Sequence, residues 1–253
     1  MNRRNFLTGI VGVPLLSKYV VPSPVVPNAT TESSYDAAYD WSLVGRKNQQ
    51  FPVGNWDTWV IITGRGWGKS RTSMEWVRHS IESCANSHIG VVGVNARDAR
   101  FLAETLLKIC PPSNRPVYSP VRRSLTWDNG SVVYLYSAER PDDLRGPSHD
   151  GIVLHELCSY QHDNESSKMR TCIDSARFAL RKGSNPRMVI ATTPKPVQPF
   201  LEIIKSRSSR MYITRGTSME NLDNMDESTM RDLLERYNST KLWLQEIYGE
   251  VIL

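Results

Sequence analysis

The chain lacks the features that would assign it to a membrane, disulfide-rich or repeat class of protein. No apolar run among its 253 residues reaches the ~18 residues that a transmembrane helix requires. Its 4 cysteines are widely spaced and form no Cys-x-x-Cys pair, which predicts a reducing compartment and no disulfide framework. No internal repeat is present, which excludes a solenoid. The length fits one large globular domain with a small addition.

The charge balance favours an acidic partner. The net charge is +5 and the isoelectric point is about 9.0, so nucleic acid is the first candidate. The sequence has no motif in which aromatic and basic residues alternate, so we expect contacts to a nucleic-acid backbone and not to its bases. Apolar residues make up 40% of the chain, which is enough for a substantial core.

Two interpretations apply to the N-terminal segment. Arg3 and Arg4 precede an apolar stretch, as in a twin-arginine export signal. Pro14 interrupts that stretch, however, and no small-residue cleavage site follows it. We therefore predict a basic arm and a proline-rich linker over residues 1–37, and the fate of the arm stays open.

Apolar strand patterns alternate with helical patterns along most of the chain. The four apolar runs are short, and each is followed by a turn signal or a polar segment. They are "TWVIIT" (58–63), "HIGVVGV" (88–94), "GIVLHE" (151–156) and "RMVIATTP" (187–194). Between these runs, apolar residues recur at the spacing of a helix. The clearest helix is "SSKMRTCIDSARFALRKG", and Gly183 is its expected end. A hairpin is expected around Asn129-Gly130. This alternation predicts an α/β fold with a mostly parallel sheet and helices on both faces.

The pattern changes near residue 195. Residues 38–195 hold the strand and helix alternation and are predicted to form the core. Residues 196–253 contain one strand pattern, "RMYITRG", and two polar helices, which predicts a small C-terminal lid subdomain.

The segment "GRGWGKS", Gly64–Ser70, lies between a buried strand and a helix. Glycines allow backbone N–H groups to close around phosphate oxygens, and the helix directs its positive end at them. In such a P-loop, Lys69 would reach the β- and γ-phosphates of ATP and Ser70 would bind Mg²⁺. The usual spacing places glycine where Thr63 stands, so the loop is a variant.

The strand that begins at Gly151 ends in His155-Glu156. A phosphate-binding loop needs an acid that orients the attacking water, and Glu156 is the only acid that closes a later buried strand. An alternative treats His155, Cys158 and His162 as zinc ligands, but the spacing is unconvincing and no second ligand pair exists.

The chain resembles the ATPase half of the large terminase subunits of tailed phages. The resemblance begins near Asp40 and extends to the C-terminus. It is carried by "DWSLVGRKNQQFPVGNWDTWVIITGRGWGKS", "LRGPSHDGIVLHEL", "VIATTPKP" and "LERYNSTKLWLQEIYGEVIL". It implies a P-loop NTPase fold of the ASCE type and a motor that moves double-stranded DNA into a capsid. The implied partners are double-stranded DNA, a portal protein, a small terminase subunit and further copies of the chain in a ring. The implied location is the host cell cytoplasm, with no membrane association.

The resemblance also implies roles for matching residues. Glu156, Arg145 and Arg65 would be catalytic, with Arg145 completing the site of a neighbouring subunit. Thr192 and Thr193 would sense the γ-phosphate. The implied ATP-binding set is Gly64, Gly66, Trp67, Gly68, Lys69, Ser70, Arg71, Gln50, Thr192 and Thr193.

Two departures from the family pattern matter. His155 stands where the family has the Mg²⁺-associated Asp, and an imidazole is a poor match for that hard ion. ATP turnover could therefore be slow, and the second hypothesis is an ATP-binding, hydrolysis-poor assembly module that depends on a partner chain. A helicase-like ATPase is a third hypothesis, which the "LRGP" and "TTP" motifs disfavour. The chain also ends about where a nuclease half would begin, so we expect no nuclease domain and a nuclease on a separate chain or in a missing half.

Overall fold

The structure is a computed structural model that describes residues 37–160, 166–206 and 208–252. The predicted N-terminal arm, apart from its last residue, lies outside the described residues. His162 of the alternative zinc set also lies outside them.

The centre of the fold is an eight-stranded sheet with the strand order β3-β4-β5-β2-β6-β7-β1-β8. The pairs that involve β1, β2, β6, β7 and β8 are parallel, and β3–β4 and β4–β5 are antiparallel. The strands are β1 Thr58–Thr63, β2 His88–Gly93, β3 Val117–Ser119, β4 Ser124–Thr126, β5 Val132–Ser137, β6 Gly151–His155, β7 Arg187–Thr192 and β8 Met211–Gly216. The four predicted buried strands and the hairpin at Asn129-Gly130 are confirmed.

The α-helices cover both faces of the sheet. They are α1 Trp41–Val44, α2 Lys69–Ser83, α3 Ala96–Ile109, α4 Ser166–Ala179, α5 Gln198–Ser206, α6 Glu227–Tyr237 and α7 Lys241–Glu246. Alternate residues of a strand point to opposite faces, which divides the core into two buried clusters. Trp59 and Ile61 of β1 pack on the side of α2 and α3, and Val60 and Ile62 pack on the side of α4 and α5. The predicted α/β class is confirmed.

The C-terminal part is organised differently from the prediction. Strand β8, predicted within a separate lid, pairs in parallel with β1 from Thr58↔Met211 to Thr63↔Gly216. Helix α5, which has no counterpart in the prediction, packs Phe200 into the core. A small third cluster of Met230, Trp243 and Ile247 holds α6 and α7 together. The main sheet therefore extends past the predicted boundary at residue 195, and the lid subdomain over residues 196–253 stays a prediction.

Helix α4 ends at Ala179 and not at Gly183 as predicted. The next residue, Leu180, forms a parallel bridge with His149. Gly183 still adopts a positive φ of 73°, and a Cβ there would collide with Asp150. Its conformation therefore belongs to the turn that follows the helix.

A buried carboxylate stabilises α2, the helix that follows the glycine-rich loop. Glu75 of α2 has a fully buried side chain and accepts hydrogen bonds from Arg71 at 2.7 Å and from Arg78 at 2.8 Å. Arg78 also donates to the carbonyl oxygen of Tyr39 at 2.6 Å. The network ties α2 to the segment that precedes α1.

We expect Glu75→Ala to lower the free energy of unfolding by about 2 kcal/mol, because it removes the fully buried carboxylate that Arg78 contacts at 2.8 Å and leaves Arg78 with Glu82 at 3.2 Å. Glu104→Ala is the matched control, since Glu104 pairs with Arg100 on the exposed surface of α3. The control should cost less than about 0.5 kcal/mol. Urea unfolding measures both, and equal losses would contradict a structural role for Glu75.

Candidate nucleotide-binding and catalytic site

The carboxyl ends of three parallel strands meet at one edge of the sheet. Thr192 of β7 is paired with Ile62 of β1, and His155 of β6 is paired with Ala191 of β7. The loop after β1, the acid after β6 and the threonines at the end of β7 therefore lie side by side. Ligands of open α/β sheets bind at this edge.

The loop Gly64–Ser70 connects β1 to α2, as the sequence predicts. Gly66 and Gly68 have φ angles of 74° and 106°, which only glycine adopts without strain. Gly68 is the N-terminal cap of α2, so the loop leads directly into the positive end of a 15-residue helix. Flexible glycines and a helix N-terminus are the backbone features that a phosphate-binding loop requires.

Lys69 lies at the centre of the site, and its side chain is only 5% exposed. Its Nζ donates to the carbonyl oxygen of Gly64 at 3.1 Å and to Oγ1 of Thr193 at 2.9 Å. Glu156 Oε1 is 3.3 Å from the same nitrogen. Burial lowers the pKa of Lys69 below its usual value, and the attraction of Glu156 partly offsets this effect. The ammonium group is therefore held beside the loop, between Gly64, Thr193 and Glu156.

Glu156 is held in an unusual backbone conformation immediately after β6. Its φ of 52° is rare for a residue with a side chain, and such conformations persist where the surrounding contacts enforce them. Its backbone N–H donates to the carbonyl oxygen of Ala191 at 2.6 Å. Its Oε2 accepts a hydrogen bond from the Thr193 N–H at 3.0 Å, and the side chain remains 25% exposed. The carboxylate is thus oriented by the protein and open to water.

The two threonines at the end of β7 have different contacts. Thr193 contacts both Lys69 and Glu156. The buried Thr192 accepts a hydrogen bond from the Cys158 N–H at 3.0 Å and donates to the carbonyl oxygen of Thr193 at 3.0 Å. Thr192 therefore fastens the turn that follows Glu156 and does not itself contact Lys69.

His155 contacts the loop through one ring nitrogen and an unpredicted carboxylate through the other. Its Nε2 lies 2.9 Å from Ser70 Oγ, and its Nδ1 lies 3.3 Å from Asp98 Oδ2. Asp98 belongs to the first turn of α3, next to the carboxyl end of β2, and also accepts the Val94 N–H at 2.9 Å. Burial raises the pKa of Asp98, but hydrogen bonds from His155 and Val94 outweigh it and leave the pKa below its usual value.

Sequence reasoning missed Asp98 because an aspartate in the first turn of a helix is common and gives no sign of a further role. Its backbone N–H donates to the side chain of Asn95, the cap of α3. The available signal was its position just after a strand predicted to lie within the same sheet as the Glu156 strand.

Several predicted loop residues point away from Lys69. The Arg65 side chain is 73% exposed and pairs with Glu246 of α7. Arg71 pairs with Glu75 and lies over the ring of Trp41 at 5.7 Å. In this arrangement neither guanidinium contacts Glu156 or Lys69.

The Trp67 indole is completely buried and does not line the phosphate site. Its Nε1 donates to Glu220 at 2.9 Å, and its ring packs where a side chain at Gly216 would collide with it. The Arg46 guanidinium lies 5.3 Å from the ring centre. Trp67 therefore anchors the loop to β8 and to the chain that follows it, while its backbone remains part of the loop.

The predicted Gln50 does not reach the loop. Its side chain donates to the carbonyl oxygens of Trp41 at 3.1 Å and of Gly45 at 2.7 Å. Its neighbour Gln49 is buried and donates to Thr72 Oγ1 of α2 at 2.9 Å. A Cβ on Gly68 would collide with the Gln49 amide, so Gln49 is the residue that packs against the loop.

Arg145 lies outside the Lys69 site, on the surface. Its side chain is 69% exposed and forms an ion pair with Asp142 at 3.1 Å. It borders a pocket of about 530 Å³ that Phe178 and Arg181 also line. Its position leaves it accessible to another molecule.

Among the described residues, no cluster of His, Cys, Asp or Glu has the arrangement of a metal site made of three such ligands. Within the same residues, no helix is long and apolar enough to cross a membrane.

The fold and the loop define a P-loop NTPase. Strand β7 lies between the loop strand β1 and the acid-bearing strand β6, as the ASCE type requires. Residues 60–253 match the family described as "Terminase large subunit, T4likevirus-type, N-terminal". The chain therefore belongs to this family, and the resemblance noted in the sequence is confirmed.

Solved structures of phage terminases share the fold at low sequence identity. The ATPase domain of the large terminase of Thermus phage P74-26 aligns with a TM-score of 0.61 and 17% identity, over 84% of this chain and 97% of that chain. The large terminase of a thermophilic bacteriophage aligns with a TM-score of 0.61 and 12% identity, over 87% of this chain and 53% of that chain. The HK97 bacteriophage large terminase aligns with a TM-score of 0.60 and 15% identity, over 91% of this chain and 52% of that chain. The chain thus spans about half of the last two proteins. No curated protein matches it.

Proposed function

We propose that the chain is the ATP-hydrolysing motor domain of a phage large terminase, which couples hydrolysis to the movement of double-stranded DNA into a capsid. The observation that carries this proposal is the Lys69–Glu156–Thr193 cluster at the carboxyl edge of the sheet. In this cluster the buried Lys69 ammonium lies 3.3 Å from the partly exposed Glu156 carboxylate, which supports the proposal.

Each residue of the cluster has a role that follows from its contacts. Lys69 exchanges its carbonyl partners for β- and γ-phosphate oxygens, which satisfy a buried ammonium group better. Glu156 accepts a proton from the attacking water, because its carboxylate is exposed and oriented by the Thr193 N–H. Thr193 contacts both groups and senses whether phosphate lies between them.

The donor set at Ser70 fits a divalent cation. Ser70 supplies a hydroxyl at the start of α2, His155 Nε2 lies 2.9 Å from it, and Asp98 contacts the other ring nitrogen of His155. A cation bound with ATP would neutralise part of the negative charge of the phosphates. Ser70 and His155 would hold it, and Mg²⁺ is the cation that the family resemblance implies.

Arg145 serves a neighbouring subunit. It lies on the surface with a single exposed ion pair, which costs little to break. In a ring of copies on a capsid portal, it would stabilise the charge that develops on the transferred phosphoryl group of the next subunit. The Arg65 guanidinium would join the site once its ion pair with Glu246 is broken.

The remaining partners follow from the same proposal. Double-stranded DNA is contacted through its backbone, in keeping with the net charge of +5. A portal protein and a small terminase subunit complete the assembly in the host cell cytoplasm. A separate chain or a further domain supplies the nuclease.

The test is phosphate release from ATP by the wild-type chain, with and without double-stranded DNA and Mg²⁺. We expect measurable hydrolysis that DNA stimulates, and a higher rate for His155→Asp with Mg²⁺. A wild-type chain that binds ATP but is inert, and that hydrolyses it only as His155→Asp, would instead identify the hydrolysis-poor assembly module. A chain that binds no ATP would contradict both.

A further inference from the structure

The contact between Asp98 and His155 favours the imidazole tautomer that carries its hydrogen on Nδ1. Asp98 Oδ2 already accepts the Val94 N–H, so the carboxylate faces Nδ1 as an acceptor. A neutral imidazole carries one hydrogen, and this arrangement places it on Nδ1. Nε2 then presents its lone pair towards Ser70 Oγ, 2.9 Å away.

The same arrangement is a recurring feature of protein metal sites. A histidine that binds a metal donates its other ring N–H to a carboxylate, which orients the ring and raises its basicity. Here the carboxylate comes from α3, the imidazole from β6 and the hydroxyl from α2. His155 is largely buried, so the surrounding chain limits rotation of its ring.

The separation of the two candidate ligand atoms also fits a metal site. Neighbouring ligands in an octahedral shell with bonds of about 2.1 Å lie about 3.0 Å apart. Ser70 Oγ and His155 Nε2 are separated by 2.9 Å. They could therefore occupy adjacent positions on one cation with little movement of either side chain.

We propose that Asp98 and His155 replace the usual aspartate of this family with a carboxylate–imidazole pair that binds the cation of the nucleotide through His155 Nε2. The pair shifts the preference of the site from Mg²⁺ towards later first-row transition cations such as Ni²⁺, because imidazole nitrogen binds these better than it binds Mg²⁺. Asp98 is a positioning residue, since it acts through His155. The proposal rests on the proposed function, because it requires that a nucleotide–cation complex occupies the loop.

The first test is pulsed electron paramagnetic resonance of Mn²⁺ bound to the chain together with a non-hydrolysable ATP analogue. We expect a hyperfine coupling to imidazole ¹⁴N in the wild type and its loss in His155→Asp. This readout does not depend on catalysis. A wild-type complex that binds the analogue but has no ¹⁴N coupling overturns the inference and leaves the proposed function intact.

The second test measures by calorimetry how tightly the chain binds the analogue with Ni²⁺ and with Mg²⁺. We expect the Ni²⁺-to-Mg²⁺ affinity ratio to fall at least about tenfold in His155→Asp, and Ni²⁺ affinity to fall about 10- to 100-fold in Asp98→Asn. Asp128→Asn, at an exposed loop position, is the matched control and should behave as the wild type. Equal behaviour of Asp98→Asn and the control would remove Asp98 from the pair. Failure of the wild type to bind the analogue with either cation would overturn the proposed function as well.

Discussion

Glu156→Gln is expected to reduce ATP turnover by about 10²- to 10⁴-fold, which is the usual contribution of a positioned general base. The amide is nearly the same shape as the carboxylate and can still accept the Thr193 N–H. It cannot accept a proton from water at neutral pH. The loss should therefore fall on kcat, measured by steady-state phosphate release.

The same variant should bind ATP nearly as well as the wild type, because Lys69 and the loop are unchanged. Glu104→Gln, on the exposed face of α3, is the matched control and should keep full activity. If Glu156→Gln kept wild-type turnover, another group would have to be the base. If it lost ATP binding instead, the role of Glu156 would be to orient Lys69.

Lys69→Met is expected to weaken ATP binding by at least about 30-fold, because truncating one partner of a buried charged pair costs about 2 kcal/mol or more. Methionine preserves much of the length and the apolar contacts of the lysine stem. The variant therefore removes the charge and leaves the packing of the loop. Calorimetric titration with a non-hydrolysable ATP analogue measures the effect, and Lys108→Met on the exposed side of α3 is the control.

We expect Lys69→Met to weaken ATP binding without lowering the stability of the folded chain. Burial lowers the pKa of Lys69 in the folded chain below its ordinary value of 10.5, so the charged amine costs folding free energy. Between the lowered pKa and 10.5 the unfolded chain binds more protons, so wild-type stability rises with pH across that window. Lys69→Met lacks this dependence, and its melting temperature near neutral pH should equal or exceed that of the wild type. A large drop in its melting temperature would mean that Lys69 supports the fold.

The residues that sequence reasoning found are those whose role is set within a short segment. The loop glycines, Lys69 and Ser70 follow from one strand, one turn and one helix in series. Glu156 follows from its position at the end of a buried strand. Each of these depends on local periodicity and on glycine conformations, which neighbouring residues determine.

The residues that it missed or misplaced depend on contacts between distant segments. Asp98 meets His155 across 57 positions of the chain, and neither segment carries a signal for the other. Trp67 was expected at the ligand, but its indole enters the space that Gly216 leaves open beside β8. Gln50 was expected at the nucleotide, and its side chain instead donates to the carbonyl oxygens of Trp41 and Gly45, at the start and just past the end of α1.

The sequence by itself determined the class of fold, the phosphate-binding loop, the candidate catalytic acid and the family of the chain. Only the tertiary structure decided that β8 completes the main sheet, that Arg65 pairs with α7 and that His155 is held between Ser70 and Asp98. The physical reason is that strand and loop propensities are local, whereas side-chain partners are selected by the packing of elements far apart in the chain.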